Sequence, residues 1–219
     1  MNGPNRDLLR IEFLGVTVRH DEVEMPREDL ALFFAGVSDR YGMSRFEYHS
    51  DSGATFSGAD GAECVLRPSQ IASCGVTGLG YLEGIERVLA LVDEAVERYG
   101  IGQMWIEDIT LVAIWDVEDP ELARELLVGS VLQIDEDRLE LLGGDHVSVG
   151  LRIWRRAGEA AIECAVEPMH SEPSKVYIRL VQTQGEAVPD VAALREAADG
   201  IHEFLQGPLA SFILARAHR

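Results

Sequence analysis

The chain has no apolar run near the roughly 18 residues that a membrane-spanning helix needs. Its opening, Met1-Asn2-Gly3-Pro4-Asn5-Arg6-Asp7, lacks the apolar stretch of a secretory signal. The expectation is a cytoplasmic protein without a membrane partner. Cysteine is scarce and odd in number: Cys64, Cys74 and Cys164. That excludes a disulfide framework and predicts reduced thiols, two of them buried in apolar strands. Positive charge is the largest shortage, with 19 Lys and Arg against 38 Asp and Glu, a net of −19. The deficit runs through both halves, −8 over residues 1–100 and −11 over 101–219. Phosphate backbones reward clustered cations through counterion release, so a chain acidic throughout is expected not to hold nucleic acid.

The motifs of common chemistries are missing as well. His170-Ser171-Glu172 contains the residue types of a catalytic triad, but adjacent side chains cannot converge on one another, and Pro173 marks a surface turn. His202-Glu203 lacks the second histidine four residues on that a helical zinc motif requires, and Cys64-x9-Cys74 has no close metal spacing. The acidic stretches Asp21–Glu24, Asp116–Asp119 and Asp135–Asp137 lack the glycine and glutamate spacing of a calcium loop. Gly75-Val76-Thr77-Gly78-Leu79-Gly80 has neither the Lys-Ser/Thr pair nor the glycine spacing of a phosphate loop. No metal, cofactor or catalytic residue is therefore assigned.

What is present is an alternation of strand and helix periods. Leu14, Val16 and Val18 alternate through an opening strand, residues 8–19. Pro26 with Glu28 and Asp29 starts a helix whose apolar face is Leu30, Phe33, Phe34, Val37 and Tyr41, and Gly42 stops it. Short strands follow at 45–49, 62–66 and 70–76, an antiparallel meander separated by glycine-rich turns. Leu82, Ile85, Leu89, Val92, Val96 and Tyr99 then recur at helical spacing up to Gly100.

The second half repeats this programme. A strand at 106–115 leads to a helix through Leu122, Leu126 and Leu127 that Gly129 is expected to end, with a further helical turn at 135–142. Val147, Val149, Leu151 and Ile153 alternate strictly with polar or aromatic neighbours, and strands at 160–166 and 176–184 complete a second meander. Pro189-Asp190 introduces a last helix through Leu194, Ala198, Ile201 and Phe204; Pro208 kinks or breaks it, and Leu209, Phe212 and Ile213 carry an apolar face onward. Glu63-Cys64-Val65-Leu66-Arg67-Pro68 and Glu163-Cys164-Ala165-Val166-Glu167-Pro168 fall at matching places in the two series. The expected fold is α+β: a tandem duplication of a strand, helix, meander, helix unit over residues 1–102 and 103–219, with all helices on one face of antiparallel sheet.

By this order, and by Leu194-x7-His202-x-Phe204 in the final helix, the chain resembles a sporadically distributed bacterial family for which no catalytic residues are established. An arginine-rich or aromatic strand before the last helix is common in that family, as Val176-Tyr177-Ile178-Arg179-Leu180 is here. The half-domain order is also similar to the duplicated saddle of the TATA-binding-protein fold, a resemblance that implies architecture and not DNA binding.

Strand alternation then selects a candidate site. If Val147, Val149, Leu151 and Ile153 face the helices, Arg152 and Trp154 face away, and Tyr177 and Arg179 join them from a neighbouring strand. Two arginines and two aromatics on the open face of an acidic chain suit a contact surface. The expected function is a non-catalytic protein-binding or assembly subunit, with a protein partner or a second copy on that face. The alternative is a small-ligand domain, enzymatic or not, with its pocket between helices and sheet; the two differ in whether the structure shows an enclosed cavity or an open patch.

Overall fold

Alternating burial shapes the first strand, β1 (Leu9–His20): Leu14, Val16 and Val18 are buried, whereas Arg10, Glu12 and Arg19 are exposed. The coordinates are those of a computed structural model, which describes residues 9–50, 52–76, 80–117, 121, 123, 126–132 and 149–214. Pro26, with φ preset at −64°, stands immediately before α1 (Arg27–Tyr41), whose acidic first turn complements the positive end of the helix dipole. Gly42 ends the helix in the left-handed region at φ 68°, which a side chain would oppose.

The meander has one strand more than the sequence suggested: β2 (Met43–His49), β3 (Gly53–Gly58), β4 (Glu63–Arg67) and β5 (Gln70–Val76). The additional strand, β3, lies between glycine-rich turns that mask its period, yet Ala54 and Phe56 are fully buried along it. The amphipathic α2 (Tyr81–Tyr99) follows. Its first apolar residue is Tyr81 and not Leu82, which is 70% exposed; the helix starts one position earlier than the apolar spacing implied, and Tyr81 takes the inward face.

In the second half β6 (Met104–Asp116) is the longest strand. The helical stretch after it is a π-helical segment, Leu126–Leu132, that runs through Gly129 where a stop was expected. Burial of Leu126, Leu127 and Val128 holds this segment to the core past the glycine. The expected turn at 135–142 lies outside the described residues, as do Val147 and Ser148. The strongest strand signal becomes β7 (Leu151–Ala157), which starts later than expected because Val149 and Gly150 precede it in open backbone.

Next come β8 (Ala160–Pro168), β9 (Lys175–Gln184), the short β10 (Ala187–Val188) and α3 (Val191–Phe204), capped where the Asp190 carboxylate accepts a 2.9 Å hydrogen bond from the Ala193 N–H. Pro208, which has no N–H to give, is absorbed in a wide π-helical turn, Leu205–Leu209, before α4 (Ala210–Leu214). Leu209 and Ile213 are buried there, but Phe212 is 49% exposed, so the last apolar face has two members of the three expected.

All the strands belong to one antiparallel sheet ordered β2-β3-β4-β5-β1-β6-β9-β8-β7, with β10 alongside β6. The helices lie against one face, whose inward positions form a single core running from Phe33 and Phe56 at one end to Leu180 and Ile201 at the other. The opposite face carries no helix among the described residues.

The two halves meet at the central pair β1–β6, and its register is self-symmetric. Gly15 lies opposite Thr110; stepping outward, Leu14 faces Leu111 and Val16 faces Ile109, so each position of β1 corresponds to the one 95 residues later. The pair is interrupted twice, where Glu12 and Glu107 each stand as the extra residue of a bulge. Those two glutamates correspond under the same 95-residue relation. The correspondence extends sideways along one row of the sheet: Gly15, Cys74, Glu63 and Ser57 in one direction, Thr110, Val181, Glu163 and Trp154 in the other. Cys64 and Cys164 occupy the same place on β4 and β8, at 0% and 1% exposure, with their thiols toward the helices. Burial away from water raises both thiol pKa values, that of Cys164 to about 12, as expected of inert packing residues.

Candidate binding face

Pairing across β7, β8 and β9 fixes which side chains share the open face. Arg152 is opposite Ala165, and Ala165 is opposite Arg179, so the two arginines flank one alanine, roughly 10 Å apart at their Cα atoms by strand spacing. Ala165 is 7% exposed although it faces away from the helices. Trp154 lies in the next row, opposite Glu163, and is 68% exposed, far more than an indole with no partner surface would be in a core. Tyr177 sits one row to the other side, opposite Glu167 and half-buried. The structure therefore brings all four sequence-selected residues onto one face of three adjacent strands.

Their free charge is unequal. The Arg152 Nε lies 3.5 Å from the Glu163 Oε1, a loose ion pair between side chains 55% and 34% exposed, where water screens most of the attraction. Arg156 joins the same face opposite Ala161. The cluster thus places three arginines, Arg152, Arg156 and Arg179, beside two glutamates, Glu163 and Glu167, in a molecule with twice as many acids as bases. Arg155, on the other side of β7, lies over the Phe204 ring at 5.0 Å and ties the strand to α3.

The face continues toward the sheet centre as an apolar strip that sequence reasoning missed. Val112 lies opposite Arg179, Ile114 opposite Tyr177, and Phe13 opposite Val112. All three are half-buried, with no covering helix among the described residues. The signal for Val112 and Ile114 was available: a strand apolar without a break from Leu111 to Trp115 buries one parity and must show the other. For Phe13 it was available too, since alternation from the buried Leu14, Val16 and Val18 puts it on the open face; the bulge at Glu12 shifts only the residues before it. Phe13 also needs Gly15: a Cβ there would come within 3.1 Å of the Phe13 ring and 3.3 Å of the Cys74 Cβ.

The remaining polar clusters hold the fold together. Arg87 donates to Asp60 and to the Tyr41 carbonyl, joining the end of α1, the turn after β3 and the flank of α2. The Arg87 hydrogen bond holds Asp60 below the usual carboxylate range. Between α2 and α3, the Tyr81 hydroxyl donates to the Asp199 Oδ1 at 2.7 Å, and the Tyr81 ring stacks on His202 at 3.8 Å between centroids. Burial raises the Tyr81 pKa and lowers that of His202. His202 is thus a half-buried packing residue, and His170 lies exposed in the turn after β8.

Among the described residues no group of three or more His, Cys, Asp and Glu is placed to hold a metal. Cys64 and Cys74 point to opposite faces of the sheet, which prevents them from sharing a ligand set. Among the described residues one recess between helices and sheet, lined by Leu9, Trp115, Ile178, Leu205 and Ala210, leaves no room for a water molecule. No helix among the described residues is long and apolar enough to cross a membrane. Comparison of the chain with protein-family models and with curated proteins finds no match to either.

Proposed function

We propose that this chain is a non-catalytic binding or assembly subunit that receives a protein partner on the open face of its sheet. The observation that carries the reading is the exposure of Trp154 beside Arg152, Arg156 and Arg179, continuous with the apolar strip of Val112, Ile114 and Phe13. An arginine fork pairs bidentately with carboxylates while its plane lies on aromatic rings, and interface anchors are enriched in Trp, Tyr and Arg. The partner's matching surface is therefore one with carboxylates around an apolar centre. The alternative of a ligand pocket between helices and sheet draws no support from a recess too small for water.

The tandem reading belongs to the same proposal: residues 1–102 and 103–219 are copies of one unit. The self-symmetric register about Gly15 and Thr110, and the paired bulges at Glu12 and Glu107, support it. On this view the first half kept the plain face, with Ser57 where the second half has Trp154, and the recognition residues gathered in the second copy. The resemblances to the sporadic bacterial family and to the TATA-binding-protein saddle stand as part of this reading, with a cytoplasmic location to which three free cysteines are suited.

The test is a partner that co-purifies stoichiometrically with the tagged chain from its native host, followed by calorimetric titration of the purified pair. Trp154→Ala and Arg179→Ala are each expected to weaken binding by about 2 kcal/mol, roughly 30-fold, while unfolding free energy stays within about 0.5 kcal/mol because both side chains are exposed. Undiminished binding by both variants, or unfolding of both, sinks the proposal.

A further inference from the structure

From the other end of the sheet we infer that β2 pairs, antiparallel and centred on Phe46, with β2 of a second copy of the chain. Among the described residues β2 is an end strand, held on its inner side by β3 and from above by α1. An end strand offers a row of main-chain donors and acceptors to any chain that matches it. Its side chains here match themselves. Arg45 and Glu47 lie on the open face, on either side of Phe46, with side chains 71% and 53% exposed. In an antiparallel pair centred on Phe46, Arg45 of each copy stands opposite Glu47 of the other, so one contact contains two complementary charge pairs. A parallel arrangement in the same register would set Arg45 against Arg45 and Glu47 against Glu47. Moving the antiparallel centre by one residue either way keeps each side chain on its face but sets Arg45 against Arg45 or Glu47 against Glu47.

The helix side of the strand points the same way. Phe34, Phe46 and Phe56 form a stack with centroids 5.5–5.9 Å apart; Phe56 is fully buried, while Phe34 and Phe46 stay half-open at the sheet edge. Antiparallel pairing about Phe46 brings the two Phe46 side chains together and closes both stacks. The rim beyond them is small and polar, Ala31 and Ser38 on α1, with Arg27 over the Tyr48 ring at 5.6 Å. In β7, the other end strand among the described residues, an antiparallel pair centred on its exposed Trp154 sets Arg152 against Arg156 twice. A two-fold contact must be complementary to itself, as β2 is about Phe46. The arrangement uses a surface separate from the Trp154 face and does not depend on that face having a partner.

The experiment is sedimentation equilibrium of the wild type at about 0.15 M salt, where screening over roughly 8 Å subdues the repulsion between two acidic copies, alongside Arg45→Glu, Glu47→Arg and the double reversal. The wild type is expected to dimerise, and each single reversal, which sets like charges opposite one another twice, to raise the dimer dissociation constant about tenfold or more. The double reversal restores the dimer. Mixing the two single variants gives a one-to-one heterodimer, because the all-acidic β2 of one then faces the all-basic β2 of the other. Circular dichroism checks that each variant is folded. A monomeric wild type overturns the inference; so does a dimer indifferent to the single reversals, a mixture that does not recover, or a dimer lost in Trp154→Ala, which would assign self-association to the other end.

Discussion

His202 shows how one side chain couples the packing of α2 and α3 to acidity. Its ring lies flat on Tyr81, and burial lowers its pKa below the ordinary value of about 6.5, against the opposing pull of Asp199 and Glu203. The unfolded chain therefore takes up the proton first. Stability is full above about pH 6.5 and falls as pH drops toward the folded-state value. We expect the melting temperature to decline between pH 7.5 and 5.5, and His202→Phe, which keeps a flat ring on Tyr81 but cannot titrate, to reduce that decline. Parallel melting curves of the two proteins check this, and equal slopes would remove His202 from the account. The stack itself was not legible in the sequence. The missing second histidine set His202 apart from a zinc motif, but Tyr81 is 121 positions away and stood one residue outside the apolar spacing of α2.

Element boundaries followed local chemistry wherever that chemistry was punctuated. Pro26 and Gly42 bracket α1, Asp190 caps α3, and Gly100 closes α2 at φ 64°. Where punctuation and period conflicted, packing decided: Leu126, Leu127 and Val128 carried a helical segment through Gly129, and Pro208 widened a turn without ending the helical path. The hidden strand β3 depends on one such mark. Gly53 opens it at φ 99°, and a Cβ there would lie 2.0 Å from the Leu66 carbonyl oxygen on β4. Gly53→Ala is accordingly expected to cost about 3 kcal/mol, the strained backbone adding to the clash. Gly36→Ala, in open space on α1, is expected to be neutral or to stabilise by up to about 1 kcal/mol. Urea unfolding of the two variants gives the comparison, and similar midpoints would show that the β3–β4 approach relaxes more easily than the geometry indicates.

At the scale of the molecule, acidity is the property with the widest reach. A net charge of −19 opposes phosphate contact everywhere except near the few clustered arginines, and these stand beside Glu163 and Glu167. Gel-shift assays with duplex DNA and with RNA at physiological salt are expected to show no complex; a tight, salt-sensitive shift by the purified chain would refute the charge argument. The four residues of the candidate face were legible because strict alternation in β7 and β9 needs no distant information. The apolar strip beside them was not fully so, since it depends on which strand lies next to which. The central pair β1–β6 has a further consequence for how the molecule is made. β1 is synthesised before β5, which it meets some fifty residues later, but its other edge stays uncovered until β6 has been synthesised. A nascent chain stalled near residue 102 would present that bare edge, with Leu14, Val16 and Val18 along it, as a template for aggregation, so the first half depends on the second for its solubility during translation.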